Sequence, residues 1–246
     1  MEIIDAHVHL GAGRYRQLNA EGLLRRMDDA QVAFAIACPM DQYLAVDNRE
    51  GNEIIQRAVQ AHPDRLAGMA SANPWYGDRA VEEIRRALSE GLTGLKLHSI
   101  TQGFRLNDRI VDPLLEVARE FDVPVYAHTG TAGAAEPFQL VELARRFPEI
   151  NFLMGHGGAS DYYNDTVRAL EFAPNFWLET SRNGPANFRY WQLSGATDRL
   201  VFGSDAPEYI PALEIETLRE VFVDEAGRRA ILGDAVRQVY KGRLPV

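Results

Sequence analysis

PVYAHTGTAGAAEPFQLVELARRFPEINFLMGH, residues 124–156, reads as a strand, a helix and a second strand. The two ends, PVYAHT (124–129) and INFLMGH (150–156), are apolar on both faces for most of their length. That is the pattern of parallel strands covered on both sides. Between them PFQLVELARRF (137–147) spaces its apolar residues by three and four, and Pro148 stands just past its end as a stop signal. Each strand ends on or beside a histidine, His128 and His156, followed by small residues.

The same alternation extends outward in both directions. Further strands are expected at EIIDAHV (2–8), AFAIACP (33–39), LAGMASA (66–72), TGLKLH (93–98), NFWLETS (175–181) and LVFGSD (200–205). Helical spacing falls at 20–30, 52–62, 79–90, 109–121, 161–172 and 212–223, with a weaker helix at 185–195. Eight strands alternating with eight helices predict a (β/α)8 barrel, the TIM-barrel class of α/β fold. RRAILGDAVRQVYKG (228–242) adds an extra C-terminal helix, paired or bent. No composition break or repeat divides residues 1–246, so a single domain is expected. A doubly wound sheet would want a glycine-rich turn after the first strand. HVHLGAGRY (7–15) lacks the third glycine that would open a helix there.

Area scaling for 27.5 kDa gives roughly 40,000 Å² unfolded and roughly 11,000 Å² folded, enough burial for a large core without staples. Lys and Arg number 26 against 35 Asp and Glu, a net charge of −9, which repels phosphate backbones and anionic lipid. Nucleic acid and membrane surfaces are therefore excluded as expected partners, while a small anionic substrate is not. The one cysteine, Cys38, sits in an apolar run and reads as a buried thiol, with no internal disulfide available. No apolar stretch is long enough to span a membrane, and MEIIDAHVHLG lacks the basic start of a secretory leader. A cytoplasmic protein is expected.

Five of the six histidines, His7, His9, His98, His128 and His156, fall on expected strands or at their C-terminal ends. In a barrel those ends converge on one mouth. The sixth, His62, falls at a helix C-terminus on the opposite rim, where it complements the helix dipole. His7 and His9 are two apart on a strand and point to one face, so both can reach one ion. Asp205 ends the eighth strand after apolar or small residues. A buried lone carboxylate is costly, so it calls for a metal ligand or general-base role, with a helix N-cap as the plain alternative.

DAHVH (5–9), GLKLH (94–98), HTG (128–130), GHGG (155–158), GSDAP (203–207) and the closing ILGDAVRQVY (231–240) together resemble the amidohydrolase superfamily. Within it they are most similar to the amidohydrolase-related branch, which holds decarboxylases, hydrolases and lactonases. The resemblance spans nearly the whole chain. It implies that His7, His9, His128 and Asp205 hold one divalent metal ion, zinc first, with manganese and other divalent ions as alternatives. It also implies that His156 sits beside the metal as an electrostatic or acid–base partner. Asp205 would take a proton from metal-bound water.

Lys96 shares a strand face with His98. It is assigned to substrate carboxylate binding or to a buried ion pair with Asp5 or Glu179. In binuclear relatives a carboxylated lysine on this strand bridges two metals, and that is its alternative. His98 is assigned a substrate hydrogen bond. Arg14, Tyr15, Arg105 and Arg182 lie on loops, and of the arginines Arg182 is taken as the carboxylate clamp. Glu179 can face the barrel interior or the helices, since both faces of its strand are buried.

The loops TGTAGAA, SRNGPAN and APEYIP are short, with no lid, so either the substrate is small or a second subunit of a homo-oligomer covers the mouth. The reaction implied is hydrolysis of an ester, lactone or amide of a small, carboxylate-bearing substrate. The alternative with the same ligands is metal-dependent, non-oxidative decarboxylation of a small aromatic or muconate-like acid. A metal- or ligand-binding barrel without catalysis is the third reading.

Overall fold

The computed structural model describes residues 2–244. It contains a nine-stranded, mostly parallel sheet with strands β1 (Ile3–Ala12), β2 (Gln17–Leu18), β3 (Val32–Pro39), β4 (Leu66–Ala70), β5 (Gly94–Leu97), β6 (Val125–His128), β7 (Phe152–Gly155), β8 (Phe176–Glu179) and β9 (Leu200–Val201). The two-residue β2 pairs antiparallel with the end of β1 and lies outside the alternation. The other eight run parallel in chain order, each beside the next.

The ring then closes on itself. Ala6 N–H donates to the Phe202 carbonyl at 2.9 Å, Asp205 N–H to that of His7 at 2.9 Å, and His9 N–H to that of Ala206 at 2.7 Å. These bonds continue β9 to Ala206 and join it to β1, as a (β/α)8 barrel requires. The folded surface of 10293 Å² agrees with the scaling expectation.

Side chains alternate between two cores because successive strand residues point to opposite faces. Ala35, Leu95, Leu97, Val125, Ala127, Phe152, Leu178 and Leu200 pack outward under the helices. Phe34, Ile36, Met69, Tyr126, Leu153 and Val201 fill the barrel interior. By the same parity Glu179, beside the outward Leu178, points inward, which settles what hydrophobic pattern leaves open.

The C-terminal segment is one bent helix: Glu225–Arg229, a wide turn over Ala230–Asp234, then Ala235–Val239. Its Val236, Val239 and Tyr240 join the interior core at the closed end of the barrel, opposite the mouth. Two one-turn helices, Gln42–Ala45 and Ser99–Gln102, escape hydrophobic periodicity because four residues are too few to display it. They follow β3 and β5.

Phe202 sits at the closure, fully buried, with its N–H bonded to the Ile231 carbonyl at 3.0 Å. Phe202→Ala is expected to cost about 3–5 kcal/mol of unfolding free energy. Urea denaturation checks this as a lower midpoint at unchanged slope.

Candidate active site and metal centre

Every expected site residue except Arg182 descends from the inward parity of a strand or from the residue just past its end. His7 and His9 lie on β1, Lys96 on β5, and His128 closes β6. His98, His156, Arg182 and Asp205 follow β5, β7, β8 and β9. His156, Arg182 and Asp205 all adopt left-handed backbone, with φ of 64°, 63° and 58°. Such conformations cost of order 1–3 kcal/mol each in a non-glycine residue and persist where the surroundings impose them. Gly155 has no side chain for reasons of space: a Cβ there would meet the Tyr126 hydroxyl at 2.5 Å.

The hydrogen bonds fix the imidazole tautomers by elimination. Tyr126 donates its hydroxyl proton to Glu179 Oε2 at 2.6 Å, so the oxygen, 2.9 Å from His7 Nδ1, accepts from that nitrogen. Ser181 Oγ donates to Glu179 Oε2 at 2.9 Å, and therefore accepts from His156 Nδ1 at 2.8 Å. His156 Nε2 is left as an acceptor, and His128 Nδ1 donates to it at 3.0 Å. His9 Nδ1 faces the Pro39 carbonyl at 2.9 Å and must donate. His7 and His128 thus each carry the proton on Nδ1 and a lone pair on Nε2, and His9 carries one on Nδ1.

Where those lone pairs go decides whether a metal ion fits. His7 Nε2 accepts from Lys96 Nζ at 2.8 Å. His9 Nε2 lies 3.4 Å from Asp205 Oδ1, a charge pair in which the carboxylate holds a proton on that nitrogen. Metal ligation needs neutral imidazoles and an ionised carboxylate. Burial, reinforced by Lys96, holds His7 well below the usual histidine range, and burial with neighbouring His128 and Lys96 does the same for His98 and His156. Burial, Lys96 and Arg182 bring His128 to about 3. Burial works against Asp205 ionisation, but His9 and Lys96 outweigh it and hold the carboxyl below its ordinary range. For His9 burial again opposes the charged form, while Cys38 and Asp205 prevail and push it up to about 10. Neutral His7 and His128 and ionised Asp205 have the protonation that ligation of a divalent ion requires, whereas His9 would have to give up its Nε2 proton to join them.

The tightest donor triads among the described residues are different ones: His7, His9 and Cys38, and His7, His156 and Glu179, each within 4.8 Å. Glu179 already accepts four hydrogen bonds, which suits holding a ligand better than being one. Cys38 is buried as expected, yet its Sγ lies 3.3 Å from His9 Nδ1. Parallel pairing of β1 with β3 sets Cys38 opposite His9, a register that sequence periodicity cannot supply.

His9, Lys96, His98, His128, His156, Arg182 and Asp205 line one cavity of about 80 Å³ at the mouth. Larger grooves of about 730 and 820 Å³ lie elsewhere and hold none of these groups. His98 stacks on His128 with ring centroids 3.9 Å apart, and its Nδ1 accepts from Thr101 N–H at 3.4 Å, leaving Nε2–H as a donor. Arg182 stands over the Tyr209 ring at 5.9 Å, with no carboxylate within 4.0 Å among the described residues.

The expected ion pair of Lys96 with Asp5 or Glu179 is not formed. Its ammonium bonds His7 and sits 3.8 Å above the Tyr126 ring instead. Arg105 lines a separate groove with Trp75 and Ile100, and Arg14 packs over Tyr15, which is exposed. Arg16 does line the cavity and pairs with Glu208, a role the sequence did not signal. Outside the mouth, His62 ends the helix Asn48–Ala61 as its C-cap.

A model of the amidohydrolase family matches residues 4–242. A curated 2-amino-3-carboxymuconate-6-semialdehyde decarboxylase from Dictyostelium discoideum is 19% identical over 227 residues, covering 74% of this chain. This chain spans 63% of that relative's length. A probable 2-pyrone-4,6-dicarboxylic acid hydrolase from Acinetobacter baumannii, solved with citric acid bound, superimposes with a TM-score of 0.74 at 18% identity, over 98% of this chain and 100% of its own. A 5-carboxyvanillate decarboxylase from Novosphingobium aromaticivorans, solved with manganese, gives 0.78 at 17% identity over 98% and 96%. At such identities the structural likeness shows the fold alone.

Glu214, on the helix after β9, has its carboxyl pushed up to about 7 by burial and by the nearby charges of Glu179, Asp5 and Asp205. The folded chain then keeps this proton longer than the unfolded chain does. Stability is expected to fall as pH rises from about 4.5 to about 7, and Glu214→Gln to make that decline shallower. Chemical denaturation of chelator-treated protein across that window measures the slope.

Proposed function

The chain belongs to the amidohydrolase family, and from its mouth we propose that it is a metal-dependent hydrolase of small, carboxylate-bearing esters, lactones or amides. The observation that carries this reading is the convergence on one small cavity of an ionised carboxylate, Asp205, with the cationic and donor groups Lys96, Arg182 and His98. His7, His9, His128 and Asp205 would hold one divalent ion, zinc or manganese. When bound, the ion supplies Lewis acidity that polarises a carbonyl and acidifies water.

The chain's own residues do the rest. Asp205 is ionised at neutral pH and accepts a proton from the attacking water, which suits a base more than an acid. His156 stands beside His128, its Nδ1–H held by Ser181, and contributes to the polar wall around the developing negative charge. Arg182, with no carboxylate within 4.0 Å among the described residues and exposed at the rim, pairs with the substrate carboxylate. His98 donates from Nε2. Lys96 lines the floor and adds positive potential there. The cavity of about 80 Å³ admits only the reacting end of a substrate, leaving the remainder at the open rim. The acidic chain makes nucleic acid and membrane surfaces poor partners, and the whole cycle is that of a small-molecule enzyme.

Non-oxidative decarboxylation is the second reading, favoured by the curated decarboxylase relative. It uses the same pocket, with Arg182 or Lys96 gripping the leaving carboxylate and Asp205 returning a proton to carbon.

Metal analysis of protein purified without chelator is expected to give about one divalent ion per chain, retained in Lys96→Ala and weakened in Asp205→Asn. Two ions lost together in Lys96→Ala would assign the chain to a binuclear site. On a panel of lactones, amides and aromatic acids, turnover in ¹⁸O-water is expected to place label in the product without CO₂ release. Release of CO₂ without label would establish the decarboxylase reading. With an active substrate, Asp205→Asn should lower kcat by about 10²–10⁴. Arg182→Ala should mainly raise KM.

A further inference from the structure

We propose that Glu179 is the positioning residue of this site, setting the tautomer of His7 through Tyr126 and that of His128 through Ser181 and His156. The proposal rests on the reading of His7 and His128 as metal ligands, and it adds a residue that touches neither the metal nor the substrate.

Glu179 is fully buried, and no lysine or arginine lies within 4.0 Å of it among the described residues. A carboxylate in that position survives only on hydrogen bonds. It accepts four: from Ser181 N–H on Oε1 at 2.6 Å, and on Oε2 from Tyr126 at 2.6 Å, Ser181 Oγ at 2.9 Å and His156 N–H at 3.0 Å. The backbone partners alone would make it a brace for the turns after β7 and β8. The two hydroxyl partners do something further. Each hydroxyl owns one proton, and each gives that proton to Glu179, so each must then accept from the imidazole behind it.

Two chains run outward from one oxygen. The shorter is Glu179, Tyr126, His7; the longer is Glu179, Ser181, His156, His128. Both end with the proton on Nδ1 and the lone pair on Nε2. A neutral imidazole in a symmetric environment can carry its proton on either nitrogen, and the wrong choice would aim an N–H at a metal ion. A carboxylate, which only accepts, removes that choice at both ligands at once. The barrel makes room for it. A Cβ at Gly203 would lie 2.4 Å from Glu179 Oε1, and one at Gly155 would lie 2.5 Å from the Tyr126 hydroxyl. Neither glycine has a left-handed backbone, so space rather than conformation accounts for both.

Gln is the isosteric test, because its amide places a donor where the carboxylate accepts. Whichever way the amide is turned, a donor meets either Ser181 N–H or the three donors on the other oxygen. Two single-arm variants accompany it, Tyr126→Phe and Ser181→Ala, and they keep the test alive if Glu179→Gln does not fold. Long-range ¹H–¹⁵N spectra of the imidazoles in chelator-treated full chain read the tautomers directly. The wild-type chain should show His7, His128 and His156 protonated on Nδ1. Tyr126→Phe should disturb His7 alone, and Ser181→Ala His156 and His128 alone.

Chelator competition with Mn²⁺ should show a 10- to 100-fold weaker site in Glu179→Gln. Each single-arm variant should lose less, and the double Tyr126→Phe/Ser181→Ala should approach Glu179→Gln. Nε2-protonated histidines in the wild-type chain would overturn the proposal, as would single-arm variants that move both chains or neither. So would unchanged Mn²⁺ affinity in Glu179→Gln. If no metal binds the wild-type chain, the metal reading fails, while the tautomer spectra still decide whether Glu179 sets the protons.

Discussion

Asp205 N–H donates to the His7 carbonyl, and with the bonds from Ala6 to Phe202 and from His9 to Ala206 it joins the last strand of the ring to the first. Nearly 200 residues of chain separate these partners, so their pairing carries a loop-closure cost that local structure cannot repay. The site exists only because it is repaid. Closure is what brings the His7–His9 pair, laid down at the start of the chain, against the carboxylate of Asp205. It also gives Asp5 its second backbone partner, Ser204 N–H at 2.9 Å, across the same seam. An open sheet with the same strands would leave these groups at opposite edges.

The ring also sorts polar from apolar. Each strand gives one parity to the helices and the other to the interior, and the interior is not uniform along its axis. Its closed end is filled by Phe34, Ile36, Met69 and Val201 and sealed by Val236, Val239 and Tyr240. Its open end carries the histidines, Lys96, Glu179 and Asp205. A dry floor beneath a polar layer lowers the local dielectric, which strengthens every interaction within that layer and makes each unpaired group expensive. Lys96 is the case in point. Buried with no carboxylate within 4.0 Å among the described residues, its ammonium turns to the His7 lone pair and the Tyr126 face.

The geometry of the mouth is bound to strain. His156, Arg182 and Asp205 each turn left-handed at the point where a strand becomes a loop. The turn costs energy, and the hydrogen bonds of the strand ends pin it in place: His156 N–H to Glu179, and Asp205 N–H to His7. Rigid strands hold what flexible loops alone would scatter, and the polar groups reach one small cavity from six different strands.

Much of this was legible in the sequence. Two-sided apolar runs separated by amphipathic segments reveal the α/β alternation, because parallel strands must be covered on both faces. Histidines at the ends of those runs mark the mouth, because all parallel strands of a barrel end on one rim. The roles of Glu179, Tyr126, Ser181 and Cys38 were not legible. Glu179 sits on a strand whose two faces are both buried, so no periodicity separates them. Tyr126 looks like any core aromatic until its hydroxyl is seen between Glu179 and His7. Cys38 meets His9 only through the register of two strands paired side by side. Sequence alone determined which chemistry-bearing residues stand at strand ends, since that depends on local pattern. Tertiary structure alone decided which of them touch and where their protons sit, since both depend on closure, register and burial across the whole chain.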